Sequence, residues 1–406
     1  MVWGECQGSG AKPYQTRADL RAEPAFKCSC PSRKFPCKHS LGLLLLLAAD
    51  EKIFRVGAPP AWVAEWIESR EERAEKQATR KEREATAEQS VDPAARAKRA
   101  AARADKISAG MVELDLWLRD VVRGGIAGVE SRGYGFSDEM AARLVDAQAP
   151  GAARLVRTLA WLPSTGEGWH SRFVAQLGRL HLLTSAWSRV ECLPAESQAD
   201  VRTHLGWATT ENDLADLPGV ADNWMVLGQI IEEDERLRVR RTWVHGANTQ
   251  RMALLLHFAP GTAPFAELLP SLGDWLGAEL VFYPGSHPQR AAIRARHQQP
   301  APAPRPSGER RLEAAVAAFA RALSRDPWIE RIPLLLESVV PEYASNRWLV
   351  RDEEGRAVPV APRFRNGWTL LAISGGHPVW LSGEWSGGYF LPLAAAHGDK
   401  LVSLAT

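Results

Sequence analysis

Three cysteines and a histidine fall within one short stretch of the chain, Cys28-Ser-Cys30-Pro-Ser-Arg-Lys-Phe-Pro-Cys37-Lys-His39, with the spacing C-x-C-x6-C-x-H. Structural zinc sites take four tetrahedral ligands, with thiolate sulfur and imidazole nitrogen among the favoured ones. Two sulfurs one residue apart converge from a tight knuckle after a strand. The second pair sits where a helix starts: Pro36 suits a first helical position, and Ser40 to Ala49 follows as a helical run. Thiolates at a helix N-terminus gain from its free N–H groups, which favours the ligating form. Cys6 is an alternative fourth ligand, although His39 has the better spacing. The plain alternative is a set of scattered cysteines packed as small apolar residues.

A site with four protein ligands leaves no position for a water, so its metal holds structure and activates nothing. Such a site contributes about 10–16 kcal/mol to folding a small module. That organises a segment too short to fold by hydrophobic burial alone.

The rest of the composition is ordinary. Five cysteines in 406 residues, three of them clustered, argue for a metal site over a disulfide framework. Apolar residues at 45% and charged residues at 24% are globular values, and the length suits two or three domains. A net charge of +2 commits the chain to neither nucleic acid nor membrane. Met1 is followed by Val-Trp-Gly-Glu-Cys, without the basic and apolar regions of a signal peptide. The longest apolar run, Leu41 to Ala49, is about half of what spans a bilayer. A cytoplasmic protein with no membrane association is the expectation.

These residues carry a resemblance. Cys28, Cys30, Cys37 and His39 match the SWIM zinc finger pattern, C-x-C, a variable gap, then C-x-H. The wider stretch from Trp3-Gly-Glu-Cys-Gln-Gly-Ser-Gly10 through Pro13-Tyr14 to His39 resembles bacterial proteins of the SWIM zinc finger family. The resemblance implies a strand–strand–helix fold around one structural Zn2+, acting in DNA binding or protein interaction. It also implies a link to operons encoding a MoxR-type AAA+ ATPase and von Willebrand A domain proteins. Family members usually have more chain before the Trp-Gly-Glu-Cys stretch. The abrupt start at Trp3 therefore leads to the expectation of a native N-terminus upstream of Met1 and a missing strand of the finger.

Lys27, Arg33, Lys34 and Lys38 surround the ligands, with Lys12, Arg17 and Arg21 upstream, against Glu5, Asp19 and Glu23. This local excess of positive charge suits phosphates, and Tyr14, Phe26 and Phe35 offer stacking faces. The same charge also offsets the net negative charge of zinc with three thiolates. No helix carries regularly spaced base-reading Arg, Asn or Gln. The helix after His39 is nearly all leucine, so it is expected to be buried. A protein-interaction adaptor is the leading reading, with DNA or RNA binding through the basic surface as its alternative.

The remaining chain predicts an α+β multi-domain protein. A zinc finger at 1–58 is followed by a charged helical spacer at 59–106, where Glu, Arg and Lys interleave at i,i+4 spacing. A helical bundle at 107–206 follows, of four or five helices. In it, His170, His181 and His204 read as surface or satisfied core histidines and Cys192 as a buried small residue. Residues 207–297 read as an α+β domain. Its strands are Trp224 to Ile231, Leu237 to Val244 and Arg251 to Phe258, with a helix from Pro264 to Leu276 and a strand from Leu280. A Pro-rich linker at 298–308 leads to a domain at 309–406. That domain begins with the helix Glu309 to Ser324. Strands at Arg347 to Val350, Ala357 to Val360, Trp368 to Ile373, Pro378 to Leu381 and Tyr389 to Leu393 then form a small antiparallel meander or barrel. The Trp224 and Trp348 regions echo each other as a duplicated β-unit.

Motifs for catalysis are missing. Glu384-Trp385-Ser386-Gly387 lacks the first glycine of a nucleophile elbow, and Gly8-Ser9-Gly10 lacks the Walker pattern. No catalytic residue is assigned. The acidic run Glu232 to Glu235 reads as a hairpin turn, and an activity assembled from distant residues stays open.

Overall fold

The structure, a computed structural model, describes residues 1–7, 12–20, 25–32, 36–55, 57–70, 93–129, 133–234, 237–297 and 304–405. The chain forms two compact units, Met1–Arg99 and Ala100–Thr406.

In the first unit, β1 (Val2–Cys6), β2 (Tyr14–Asp19) and β3 (Ala25–Cys28) form an antiparallel sheet in that order. Helix α1 (Lys38–Ala49) lies on it, and Leu43 packs with Val2 and Ala18. That core is small, as expected of a module organised by metal. A second helix, α2 (residues 61–70), buries Val63 and Trp66. The guanidinium of Arg17 lies over the rings of Trp62 (5.0 Å) and Trp66 (5.5 Å), which ties α2 to β2. Residues 61–70, read as the start of a solvated spacer, are therefore part of the finger's packing. The interleaved charges at 71–92 lie outside the described residues.

The second unit opens on the body of α3 (Pro93–Arg123). Ile107, Met111, Leu114, Leu118 and Val121 recur at three-to-four spacing, and all five are buried. They pack with α4 (Asp138–Asp146), α5 (Pro150–Trp161), α6 (Trp169–Trp187) and α7 (Ala195–Leu205). Gly151 permits the close contact of α5 with the end of α7: a Cβ there would stand 2.3 Å from the His204 carbonyl oxygen. His181 Nδ1 lies 3.0 Å from Asp115, and His204 Nε2 lies 3.3 Å from Asp326. Cys192 is exposed at the end of the bundle, not buried as its composition suggested.

After α8 (Glu211–Ala215) the backbone turns to strands. Five of them close a barrel: β4 (Gly219–Asp234), β5 (Leu237–Gly246), β6 (Met252–Pro260), β7 (Trp275–Phe282) and β8 (Arg290–Arg296). Their order around the wall is β4-β5-β6-β8-β7, with a short parallel pairing of β6 to β8. Such closure removes exposed sheet edges. Trp224, Val226, Val244, Leu255 and Leu280 fill the interior. Beyond the barrel, α9 (Leu312–Arg325) precedes a six-stranded sheet. Its strands are β9 (Ile332–Ala344), β10 (Arg347–Arg351), β11 (Ala357–Pro359), β12 (Val379–Trp385), β13 (Phe390–His397) and β14 (Lys400–Ser403). They run β11-β10-β9-β12-β13-β14, with α10 (Gly367–Ser374) inserted before β12.

Barrel and sheet share one core, in which Leu227 and Trp243 pack with Phe319, Leu336, Trp380, Leu381 and Phe390. A buried ion pair crosses the same junction. Glu384, 3% exposed, accepts from Arg241 Nε (3.2 Å) and Nη2 (3.1 Å) and from Trp243 Nε1 (2.9 Å). Residues 207–297 and 309–406, read as separate domains, are joined by this core. The described end of the Pro-rich segment is packed as well, since Pro306 accepts from Trp380 Nε1 at 2.9 Å.

Three local readings are corrected. No helix forms at Pro264 to Leu276; residues 261–274 are irregular and β7 begins at Trp275. Pro264 and Pro270 within that stretch each remove a helix donor. Trp368 to Ile373 is the helix α10 rather than a strand, ended by Gly375 in the left-handed region (φ 59°). The supposed duplication is not present, because one region closes as a barrel and the other stays an open sheet.

Candidate metal centre

The ligands reach one point because two elements end beside each other. Strand β3 delivers Cys28, and the chain then turns through Ser29 to Cys30. That turn is pinned to β2: Ser29 N donates to Gln15 O (3.0 Å), and Gln15 N donates to Ser29 Oγ (2.9 Å). Helix α1 supplies the other pair, with Cys37 as its N-cap and His39 in its first turn.

The donor atoms of Cys28, Cys30, Cys37 and His39 all lie within 4.8 Å of one another. Cys28 Sγ stands 3.8 Å from His39 Nδ1. A tetrahedron with zinc–sulfur bonds of about 2.3 Å sets its sulfurs about 3.8 Å apart, so the spacing fits zinc. Sulfur and imidazole donors also exclude the hard, oxygen-seeking cations as natural occupants. Cys6 is outside this group, and its Sγ contacts the Gln7 carbonyl instead. The structure thus selects His39 as the fourth donor.

The surroundings hold the donors in place. Ser40, 1% exposed, lies 3.5 Å from Cys37 Sγ and 3.4 Å from Thr16 Oγ1 through its own Oγ. The Tyr14 ring lies 5.1 Å from the His39 ring. The thiols differ in acidity. Burial pushes Cys28 up to about 11, helped by the neighbouring Cys30 and Cys37 sulfurs. Burial also opposes ionisation of Cys37, but the Ser40 hydroxyl and backbone N–H stabilise its thiolate and bring it down to about 6. A dication among the sulfurs offsets the mutual repulsion of their thiolates.

Around the donors, Lys27 and Lys38 are exposed, while Arg33 and Lys34 lie outside the described residues. Arg17, counted in the basic surface, is 7% exposed and stacked on indoles, so it faces no ligand. Burial lowers its pKa, opposed by Cys28 and Glu65. The Trp62–Trp66 spacing of four residues places both rings on one helix face, but nothing in that spacing names Arg17 as their partner. The leucine helix also departs from expectation. Leu43 is buried, but Leu41, Leu45 and Leu46 are 46%, 70% and 52% exposed.

Among the described residues no helix is long and apolar enough to cross a membrane. Comparison with curated proteins and with solved structures found no match. Two family models do match. Residues 27–48 match the SWIM zinc finger, and residues 102–205, covering α4 to α7 and most of α3, match the SWIM-associated four-helix bundle domain. The chain therefore carries a SWIM zinc finger with a Cys3His site for one zinc ion, together with the helical bundle associated with that finger.

Proposed function

We propose that this protein is a cytoplasmic, non-catalytic interaction protein in which zinc orders the finger and the outer face of α1 meets a protein partner. The observation that carries the reading is the exposure of Leu41, Leu45 and Leu46 on one short helix. A helix that is apolar on all sides belongs in an interface, and grouped exposed leucines mark interaction surfaces. The closed ligand set supports a structural role for the metal, and the reduced cysteines suit the cytoplasm. A component of a MoxR-type AAA+ ATPase system, the ATPase itself or a von Willebrand A domain protein, is the partner class we favour. Binding of DNA or RNA through Lys27, Arg33, Lys34 and Lys38 is the rival reading, and the loss of Arg17 to indole stacking weakens it.

The test compares the zinc-loaded chain with a Leu45→Glu/Leu46→Glu variant and with a Lys27→Glu/Lys38→Glu variant. Binding to the purified ATPase and to duplex DNA is measured at low and moderate salt. Partner binding that survives moderate salt and is lost only in the leucine variant supports the adaptor. Salt-steep DNA binding lost only in the lysine variant would instead establish the nucleic-acid reading.

A further inference from the structure

One end of the barrel is cationic on its inner face. Strand β4 pairs with β7 only from Gly219 to Met225, whereas its pairing with β5 continues to Asp234. Residues 261–274 fill the opening this leaves. Phe265 is buried there, Leu269 packs on the barrel core, and Gly273 N donates to Val226 O at 2.8 Å. Along the inner face the register pairs run Val244 with Ala253, Thr242 with Leu255, Arg240 with His257 and Arg238 with Ala259. The face thus begins apolar and ends in two guanidiniums and an imidazole. Arg296 on β8, in register with Ala278, adds a third guanidinium.

The loop uses only part of this set. Arg238 Nη2 donates to the carbonyl of Ala263, Arg240 Nη2 to that of Glu267, and Arg296 Nη2 to the Glu267 carboxylate and the Leu268 carbonyl. The Phe265 ring lies 5.1 Å from the Arg238 guanidinium and 4.7 Å from that of Arg240. Capping of loop carbonyls accounts for the Nη2 atoms and leaves the rest. Arg238 Nε, Arg240 Nε, Thr242 Oγ1 and His257 Nδ1 are buried without a hydrogen-bond partner among the described residues. Arg240 is only 8% exposed and Thr242 fully buried. Among the described residues, Glu267 is the carboxylate that ion-pairs with the cluster. Glu233, opposite Arg238 in register, is exposed and forms no ion pair with it among those residues. Among the described residues, three guanidiniums with donors to spare face one carboxylate.

The geometry points to a binding site for a phosphate-class oxyanion at this end of the barrel, held by Arg238, Arg240 and Arg296. The planar guanidinium matches the oxygen edge of phosphate, and the unpartnered Nε atoms of Arg238 and Arg240 supply donors. The chemistry is shared by free phosphate and by the phosphodiester of a single-stranded nucleic acid.

Calorimetric titration of the zinc-loaded full chain with inorganic phosphate, and separately with a thymidine oligonucleotide, tests the site. Saturable phosphate binding is expected, weakened about tenfold or more by Arg296→Ala, the most exposed of the three arginines. Glu267→Gln removes the competing carboxylate and is expected to tighten binding severalfold, a change that a purely structural cluster would not produce. Arg240→Gln should abolish binding; if circular dichroism shows it unfolded, the other two variants decide. Oligonucleotide binding tighter than that of free phosphate, with the same variant pattern, identifies the phosphodiester as the source. Binding of phosphate alone identifies a small anion. Absence of saturable binding of either ligand, or binding that Arg296→Ala and Glu267→Gln leave unchanged, overturns the site.

Discussion

The finger and the β-rich half of this chain are held together by different physics. Among the described residues of the finger, the apolar cluster between sheet and α1 is Val2, Ala18 and Leu43, with Phe26, Leu44, Leu47 and Phe54 partly buried around it, and α2 adds Val63 and Trp66. A core that small cannot offset the chain entropy of the segment. The four zinc ligands make up the difference. In the barrel and its adjoining sheet, the apolar core runs from Met225 to Leu404 and is crossed by the Arg241–Glu384 pair. No metal is needed where so much apolar surface leaves water together. The contrast teaches that ligand spacing can replace core volume, but only locally.

The sharpest way to break the comparison is to remove the metal. Chelation or Cys37→Ser should remove about 10–16 kcal/mol of zinc-linked stability and unfold the finger. Hydrogen exchange should then show lost protection at β2 and α1 and unchanged protection at β9 and β12. Next in size is the buried pair. Glu384→Ala leaves buried Arg241 with only the half-buried Glu232 as a carboxylate partner and takes the acceptor from Trp243 Nε1, and it should cost about 3–5 kcal/mol by urea unfolding of the second unit. Leu336→Ala, at a fully buried position, should cost about 2–5 kcal/mol in the same assay, and neither change should alter zinc content.

A smaller effect is expected at Asp222. Burial would raise its pKa, but donors from Thr249, Asn248 and Asn223 bring it below the usual carboxylate value. A lowered folded-state pKa stabilises the fold above the unfolded value, about 3.9, and the gain disappears as pH falls through the folded value. Asp222→Asn should therefore flatten the acid side of the stability profile below about pH 4 and cost about 1–3 kcal/mol at neutral pH. Smallest of all should be Leu45→Glu, which changes stability by about 0.5 kcal/mol or less at its exposed position. A larger loss would mean that this leucine is packed in solution and would remove the basis for an interface.

The zinc ligands were legible because metal chemistry constrains residue type and spacing together. Amphipathic helices were legible for a similar reason, as the run from Ile107 to Val121 shows. Less local features were not. Strand β9, the centre of the open sheet, contains Pro333 and Pro341, which disguise a strand, and β8 reads Arg-Ala-Ala-Ile-Arg-Ala-Arg, a helix former's composition. Both become strands because neighbours on each side supply their pairing. The exposed leucines of α1 were misread for the same cause, since composition says that a face is apolar but not whether anything covers it.

By itself the sequence determined the ligand set down to the choice between His39 and Cys6, the helical periodicity of the bundle and the α+β order of the chain. These follow from interactions that span a few residues. Tertiary structure alone decided that Arg17 is stacked on Trp62 and Trp66, that Glu384 is buried against Arg241, and that Arg240, His257 and Arg296 share one end of a barrel. Those meetings depend on barrel closure, strand register and helix docking. Such contacts join residues far apart in the chain, and no local pattern encodes them.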